Sequence, residues 1–177
     1  MGEIFQFSEY TFRKALLEEA EDIWLIIQDA ISKRREEGST QWQDGYPNLE
    51  VVRQDINKGY GYVSLNKEKE LTGYLALIFD GEPAYDLIKD QWLTNRPFSV
   101  VHRIAVSQDK YVKGQATWML QVAEKISVKE GYLSMKIDTN FDNIAMLRVL
   151  EKMGYTYCGE VYLRGNARKA FEKKLDE

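Results

Sequence analysis

The sequence predicts an α/β fold in which a mixed, largely antiparallel sheet of about six to seven strands is flanked by about four helices. Three observations support this. Short apolar segments alternate with segments of helical spacing, and most turns between strands are too short for parallel pairing. One helical stretch, between Val106 and Tyr132, is long enough for a parallel crossover. With 177 residues, the chain is expected to form a single domain spanning residues 1–177.

The elements are assigned in chain order. The predicted strands are residues 10–15, 60–65, 71–79, 98–106, 132–138, 155–163 and 167–173. The predicted helices are residues 16–31, 47–58, 115–129 and 142–153.

Periodicity and cap residues support the elements of the first half. The first helix has an apolar stripe at helical spacing. This stripe consists of Leu17, Ala20, Trp24, Ile27 and Ile31. The second helix is predicted to have Pro47 in its first turn, where a missing N–H costs little, and Gly59 after its end. The two strands that follow flank the charged turn N-K-E-K-E, which is typical of an antiparallel hairpin.

The second half alternates strands with helices. Residues 80–97 have no regular pattern, and a segment of this length inside a compact domain is expected to be a functional loop with a short helix. Leu133, Met135 and Ile137 alternate as in a half-buried strand. The last two strands flank the turn R-G-N-A.

Composition argues against several classes of protein. The net charge is −4, and Lys and Arg are scattered, whereas a nucleic-acid-binding protein normally has a basic face. The apolar runs are too short to cross a membrane and the N-terminus shows no secretory signal, so a cytoplasmic location is expected. With Cys158 as the single cysteine and His102 as the single histidine, we expect neither an internal disulfide nor a bound metal.

The most informative segment is V-H-R-I-A-V-S-Q-D-K-Y-V-K-G-Q-A, residues 101–116. It contains an apolar strand, a polar turn, and Gly114 at the start of a helix. The first N–H groups of a helix lack intrahelical partners and lie at the positive end of its dipole. The segment therefore predicts a binding site for a phosphate or pyrophosphate.

A second segment follows about thirty residues downstream, N-I-A-M-L-R-V-L-E-K-M-G-Y, residues 143–155. The two segments together resemble the GCN5-related N-acetyltransferase (GNAT) family. The family's acetyl-CoA pyrophosphate loop, Gln/Arg-x-x-Gly-x-Gly/Ala, matches at Gly114 and Ala116, whereas Tyr111 replaces the usual Gln or Arg.

The family's second motif, N-x-x-A-x-x-L-Y-x-K-x-G-F, matches residues 143–155 with one important departure. Leu150 occupies the place of the usual Tyr, which often protonates the departing CoA thiolate. Either solvent or another Tyr would have to supply that proton. The fitting positions are Asn143, Ala145, Lys152, Gly154 and Tyr155.

The resemblance implies acetyl-CoA as the co-substrate. The implied cofactor-binding residues are Ile104, Ala105, Val106, Lys110, Tyr111, Val112, Lys113, Gly114, Gln115, Ala116 and Asn143. Backbone N–H groups of residues 112–116 would hold the pyrophosphate, and Lys110 or Lys113 would add positive charge. Asn143 would bond the pantetheine arm, although an N-cap role is equally open to it or to Asp142.

Two interpretations of His102 stay open. It is either a structural residue on its strand or a catalytic base, as in the arylalkylamine branch of the family, where a His lies in the same H-x-x-A-V setting. An imidazole is suited to take a proton from an ammonium group. Strand alternation would place His102, Ile104 and Val106 on one face, opposite Arg103 and Ala105.

Trp42 and Tyr85 are the candidate substrate-binding residues, because aromatic side chains in irregular segments can bind an amine. They could equally belong to a satellite core. We predict an N-acetyltransferase that moves an acetyl group from acetyl-CoA to a primary amine of a small molecule by direct attack. Alternatives are acetylation of a protein N-terminus or lysine, a silent acyl-CoA-binding module, or a purely structural domain. A homodimer is implied by the resemblance alone.

Overall fold

A computed structural model describes residues 7–110 and 112–176 of the protein. Its strands are β1 Thr11–Lys14, β2 Gly61–Leu65, β3 Leu71–Ile78, β4 Ser99–Val106, β5 Ser134–Thr139, β6 Thr156–Leu163 and β7 Asn166–Lys174. Its α-helices are α1 Ala20–Glu36, α2 Leu49–Asn57, α3 Gln115–Lys129 and α4 Ile144–Lys152. Short 3-10 helices span Leu17–Glu19 and Pro83–Ile88.

The sheet is mixed, as the sequence predicts. The strand order is β1-β2-β3-β4-β5-β7-β6. β4 and β5 pair in parallel, with α3 in the connection between them. The pairs β1–β2, β2–β3, β5–β7 and β6–β7 are antiparallel, so the predicted fold class is confirmed. None of the helices in the described ranges is long and apolar enough to cross a membrane.

The chain forms two compact units. The first contains residues 7–77 and 103–122, apart from residue 111, and the second contains residues 78–102 and 123–176. β4 passes from the second unit into the first between His102 and Arg103. The organisation as a single domain stays a prediction.

The apolar core of the first unit packs α1 and α2 with its strands. In α1, Ile23, Ile26 and Ile27 lie on one helix face, as their three-to-four-residue spacing requires. The predicted stripe is wrong at its start, because α1 begins at Ala20 and Leu17, in the preceding 3-10 helix, is 50% exposed. The buried residues of this core are Ala15, Ala20, Ile23, Ile26, Ile27, Val52, Val63, Leu65, Tyr74 and Ala105.

An asparagine cap starts α2. Asn48 Oδ1 accepts the Val51 N–H at 3.0 Å and so satisfies a donor that the first turn leaves unpaired. Pro47 follows a cis peptide bond and precedes this cap. The prediction that Pro47 lies in the first turn is therefore wrong, because Asn48 caps the helix and the helix begins at Leu49.

Buried hydrogen bonds fix the start of α3 within the first unit. The Gln115 side chain is fully buried, and its Nε2 donates to Thr72 O at 2.8 Å and to Ser64 Oγ at 3.2 Å. The Ser64 and Thr72 hydroxyls are also hydrogen-bonded to each other, 2.9 Å apart. These bonds hold the first turn of α3 against β2 and β3.

In the second unit, a buried carboxylate fixes the long loop that the sequence predicts. Glu172 on β7 is fully buried, and its Oε1 accepts from Thr94 Oγ1 and Ser134 Oγ, both at 2.7 Å. Its Oε2 accepts the Leu93 N–H at 2.5 Å. The loop contains the 3-10 helix Pro83–Ile88, so the predicted short helix is confirmed.

We predict that Gly73→Ala destabilises the first unit. A Cβ atom on Gly73 would lie 2.7 Å from Ser64 Oγ and 2.8 Å from Met119 Sδ, both of which are buried. Overpacking of this kind costs about 1–3 kcal/mol, and urea denaturation measures it as a lower midpoint. Lys67→Ala, in the exposed β2–β3 turn, is the control and should change the free energy of unfolding by less than about 0.5 kcal/mol. Equal midpoints for Gly73→Ala and the parent would contradict the close packing.

Candidate active site

The segment between β4 and α3 ends in a tight turn at the helix start. Gly114 has a φ of 88°, in the left-handed region that favours glycine. The Trp118 N–H donates to Gly114 O at 3.0 Å, which makes this carbonyl the first acceptor of the helix. The first-turn N–H groups of α3, including that of Ala116, have no preceding helical carbonyl to pair with. This geometry suits an anionic group at the helix N-terminus.

The predicted cofactor-binding residues of this segment differ in how accessible they are to a ligand. Gln115 N–H donates to Val112 O at 3.0 Å, so this donor closes the turn, while the Gln115 side chain lies in the core. Lys110 and Lys113 are exposed, where a cation can reach a bound anion. Tyr111 lies outside the described residues.

β4 contains a left-handed residue that the sequence does not reveal. Arg103 has a φ of 56°, which is uncommon for any residue other than glycine. The expected alternation of His102, Ile104 and Val106 on one face assumes extended backbone throughout. One left-handed residue interrupts that extended backbone at Arg103, and the alternation stays a prediction. Beyond it, Ala105 is buried, whereas Ile104 and Val106 are half-buried.

A buried ion pair holds Arg103 in this conformation. Its Nε donates to Asp55 Oδ2 at 2.8 Å and a terminal nitrogen donates to Asp55 Oδ1 at 2.6 Å. The other terminal nitrogen donates to the Tyr46 hydroxyl at 2.5 Å. The Tyr74 hydroxyl donates to Asp55 Oδ2 at 2.7 Å, and burial, reinforced by this carboxylate, raises the pKa of Tyr74 well above its usual value. All four residues belong to the first unit.

The second unit places His102 between two carboxylates. Its Nε2 is 3.7 Å from Glu82 Oε2, and its Nδ1 is 3.7 Å from Asp138 Oδ2. The Tyr85 hydroxyl donates to the same Asp138 oxygen at 2.6 Å. Both ring nitrogens of His102 therefore lie close to a carboxylate oxygen.

Tyr85 contacts this group through its hydrogen bond to Asp138, and its side chain is only 1% exposed. Burial, and then the negative charge of Asp138, raise the pKa of the Tyr85 hydroxyl well above its usual value. Trp92 Nε1 donates to Tyr85 O at 3.0 Å and fixes the loop around it. Direct contact of Tyr85 with a substrate stays a prediction. Trp42 lies in the first unit, half-buried in the α1–α2 loop with a φ of 62°.

Asn143 is the N-cap of α4, which confirms that interpretation. Its Oδ1 accepts the Met146 N–H at 3.3 Å. Asp142, the other candidate for the cap, instead accepts a hydrogen bond from Asn140 Nδ2 at 2.6 Å. Contact of Asn143 with a cofactor stays a prediction.

The position that usually holds a Tyr is a core position in this chain. Leu150 is fully buried. Tyr155 is buried at the start of β6, as predicted, and its hydroxyl donates to Glu124 Oε1 at 2.9 Å. Burial, with a contribution from Glu124, raises the pKa of Tyr155 well above its usual value. Cys158 is a buried free cysteine, also as predicted.

Comparisons with known proteins agree with the sequence motifs. The model of the acetyltransferase (GNAT) family matches residues 14–155, so the chain belongs to this family and the suspected relationship is confirmed. Members of the family use acetyl-CoA as co-substrate, which confirms the cofactor prediction at the level of the family. No curated protein matches the chain.

Solved structures give the same fold. A GNAT-family acetyltransferase from Streptococcus agalactiae is 34% identical, with a TM-score of 0.85, and the match covers 95% of this chain and 96% of that one. One from Listeria monocytogenes is 21% identical, with a TM-score of 0.76 and coverages of 94% and 95%. The yncA protein of Salmonella typhimurium, whose structure contains its cofactor acetyl-CoA, is 16% identical, with a TM-score of 0.67 and 96% of each chain covered.

We predict that Asp55→Ala destabilises the first unit by about 3–5 kcal/mol, because it leaves the buried Arg103 charge without its partner. Guanidinium denaturation measures the loss. Combining it with Arg103→Met should recover part of the stability, since the unpaired charge is then removed. The control is Glu37→Ala, which breaks the more exposed Arg34–Glu37 pair at the end of α1 and should cost only about 0–1 kcal/mol. Equal losses for the two single variants would contradict the role of the buried pair.

Proposed function

We propose that the protein is an N-acetyltransferase that moves the acetyl group of acetyl-CoA to a primary amine of a small molecule by direct attack. The observation that supports this most strongly is the glycine turn at the start of α3, next to β4, in a member of the GNAT family. Direct attack needs no covalent enzyme intermediate, so binding and orientation supply much of the rate enhancement. The buried free thiol of Cys158 suits a reducing cytoplasm.

The cofactor residues have separate tasks in this proposal. Backbone N–H groups at the start of α3 hold the pyrophosphate, and the exposed Lys110 and Lys113 add positive charge. Asn143 can contact the pantetheine arm through the part of its amide that does not cap α4. Backbone N–H groups of β4 around Ile104 polarise the thioester carbonyl. Bound acetyl-CoA supplies the acetyl group.

His102 is the proposed base. It takes a proton from the acceptor ammonium, directly or through a water molecule, and Glu82 and Asp138 stabilise the resulting imidazolium. Tyr85 keeps Asp138 in place through its hydroxyl, and its raised pKa keeps this hydroxyl protonated. These contacts all lie within the second unit.

Solvent is the proposed source of the proton for the departing thiolate. Leu150 has no proton to give, and the raised pKa values of Tyr85 and Tyr155 make both hydroxyls weaker acids than usual. Because neither Tyr85 nor Tyr155 is suited to donate this proton, a second candidate function is a silent acyl-CoA-binding module. Thiol release on an amine panel distinguishes them, because a silent module binds acetyl-CoA without turnover.

A small acceptor is favoured over a polypeptide. The loop of residues 80–97 is tied to the sheet by the Glu172 and Asp138 carboxylates, and it covers the face from which these side chains extend. A fixed loop on this face leaves little room for an extended peptide. Acetylation of a protein N-terminus or lysine is therefore the less favoured alternative, and a peptide arm in the amine panel tests it.

We expect Gly114→Glu to weaken acetyl-CoA binding by at least about 100-fold, because it places a carboxylate where the pyrophosphate should bind. Isothermal titration calorimetry measures the loss. The matched control is Gly131→Glu beyond the other end of α3, where φ is 90° and a Cβ would meet nothing within 4 Å. It introduces the same side chain and similar backbone strain. Unchanged affinity in Gly114→Glu, or equal loss in both variants, would place the pyrophosphate elsewhere.

We expect His102→Ala to lower kcat by about 10²–10⁴-fold, the range of a lost general base. Acetyl-CoA affinity should stay unchanged, since His102 has no part in holding the pyrophosphate. Steady-state thiol release across about pH 6 to about pH 9, with calorimetry on the same samples, measures both. A variant whose turnover matches the parent at every pH would remove His102 from the mechanism and leave it a structural residue.

A further inference from the structure

Arg168 is a buried cation that no described side chain neutralises. It lies on β7 opposite Val161 of β6 and is only 6% exposed. Its Nε is buried without a hydrogen-bond partner. Within residues 7–110 and 112–176, no carboxylate forms an ion pair with its guanidinium.

This state is energetically unfavourable for an arginine. A buried charge without a partner loses its hydration and gains nothing in return, and a guanidinium cannot lose its proton to escape the cost. Two other buried cations, Arg103 and Lys136, each have a stabilising partner. Arg103 has its bidentate partner Asp55, and the Lys136 ammonium lies 3.7 Å and 4.2 Å from the ring centres of Phe98 and Trp92.

The register of β7 places Arg168 on the same sheet face as the His102 group. Arg168, Ala170 and Glu172 alternate along the strand, and Ala170 pairs with Asp138 of β5. Arg168 is therefore a diagonal neighbour of Asp138, roughly 7–8 Å away between backbone positions. The Arg168 charge also acts on the Tyr85 hydroxyl: burial and Asp138 raise the pKa of Tyr85, and Arg168 opposes this rise.

We propose that Arg168 binds the carboxylate of the acceptor, and that the acceptor is an amino acid or a close analogue. Its ammonium group lies at Glu82, Asp138 and His102, while its carboxylate meets the planar fork of the guanidinium. This inference rests on the proposed amine acetylation and specifies its substrate class. The two carboxylates and the guanidinium on this face then have one explanation. The positive end of a zwitterion complements the carboxylates, and its negative end complements the guanidinium.

The test compares matched acceptor pairs in Arg168→Met. Each pair consists of an L-amino acid and the amine that lacks its carboxylate, for example L-phenylalanine and phenethylamine, assayed by thiol release from acetyl-CoA. The parent should prefer the amino acid of at least one pair. Arg168→Met should lose about 10- to 100-fold in kcat/KM on that amino acid and less than about 3-fold on the matching amine.

Lys169→Met is the matched control. It removes the same charge from the next position of β7, whose side chain lies on the opposite face, against the rings of Phe141 and Tyr157. Its kinetics on both members of each pair should equal those of the parent. Equal losses on the amino acid and the amine in Arg168→Met, or a parent that prefers the amines throughout, would overturn the inference.

Thermal unfolding supplies a readout that does not require turnover. Arg168→Met should melt at the same temperature as the parent or higher, because the substitution removes an uncompensated buried charge. A melting temperature lowered by several degrees would show that the guanidinium is structural and would overturn the inference.

The same measurement separates this inference from the proposed function. If neither member of any pair is acetylated, the proposed function fails. The carboxylate site is then judged by binding: millimolar amino acids should raise the melting temperature of the parent and not that of Arg168→Met. Equal shifts in both proteins, or no shift in the parent, would overturn it.

Discussion

Arg103 adopts a left-handed backbone conformation in the middle of a strand, and both oxygens of the Asp55 carboxylate accept hydrogen bonds from one edge of its guanidinium. Left-handed backbone at a residue with a long side chain costs about 1–3 kcal/mol, and it persists only where surrounding contacts determine it. Here the contacts come from α2 through Asp55, from β3 through Tyr74, and from the α1–α2 loop through Tyr46. The conformation of β4 directly after His102 therefore depends on residues that lie about 30 to 60 positions earlier in the chain.

Three buried charged side chains, Asp55, Glu172 and Lys136, are each stabilised by a different kind of contact. Asp55 is paired with an arginine, whereas Glu172 accepts hydrogen bonds from one backbone N–H and two hydroxyl groups. The Lys136 ammonium lies on two aromatic rings, and burial lowers its pKa. Among residues 7–110 and 112–176, Arg168 has no such compensation. Since a buried charge without a partner is costly, the difference points to chemistry at Arg168 and to structure at the other three positions.

The sequence predicted most of the fold because periodicity and caps are local signals. The bounds of α3 agree at both ends, and the strands agree within about two residues. The start of α1 was missed because an amphipathic stripe continues through the preceding 3-10 turn without a change of period. The left-handed Arg103 could not be foreseen, since arginine has no preference for that conformation and its partner Asp55 is distant in sequence.

The candidate site was predictable only where a motif defines it. The glycine turn before α3 and the Asn143 cap follow from local sequence. The carboxylates around His102 do not, because Glu82 lies in an irregular loop and Asp138 looked like an ordinary strand residue. The burial of Arg168 has no local signal either, because one arginine in a strand with several other charges normally lies in solvent.

The buried Glu172 carboxylate limits how far the loop of residues 80–97 can move. This carboxylate accepts hydrogen bonds from the Leu93 N–H and the Thr94 hydroxyl of the loop and from the Ser134 hydroxyl of β5, so swinging the loop outward would break two of these three bonds at once. Large excursions of residues 93–94 therefore belong to the rare, high-energy end of native-state fluctuations. In the proposed acetyltransferase, discrimination between acceptors would therefore depend on a rigid, preformed site that does not remodel around a molecule of the wrong shape.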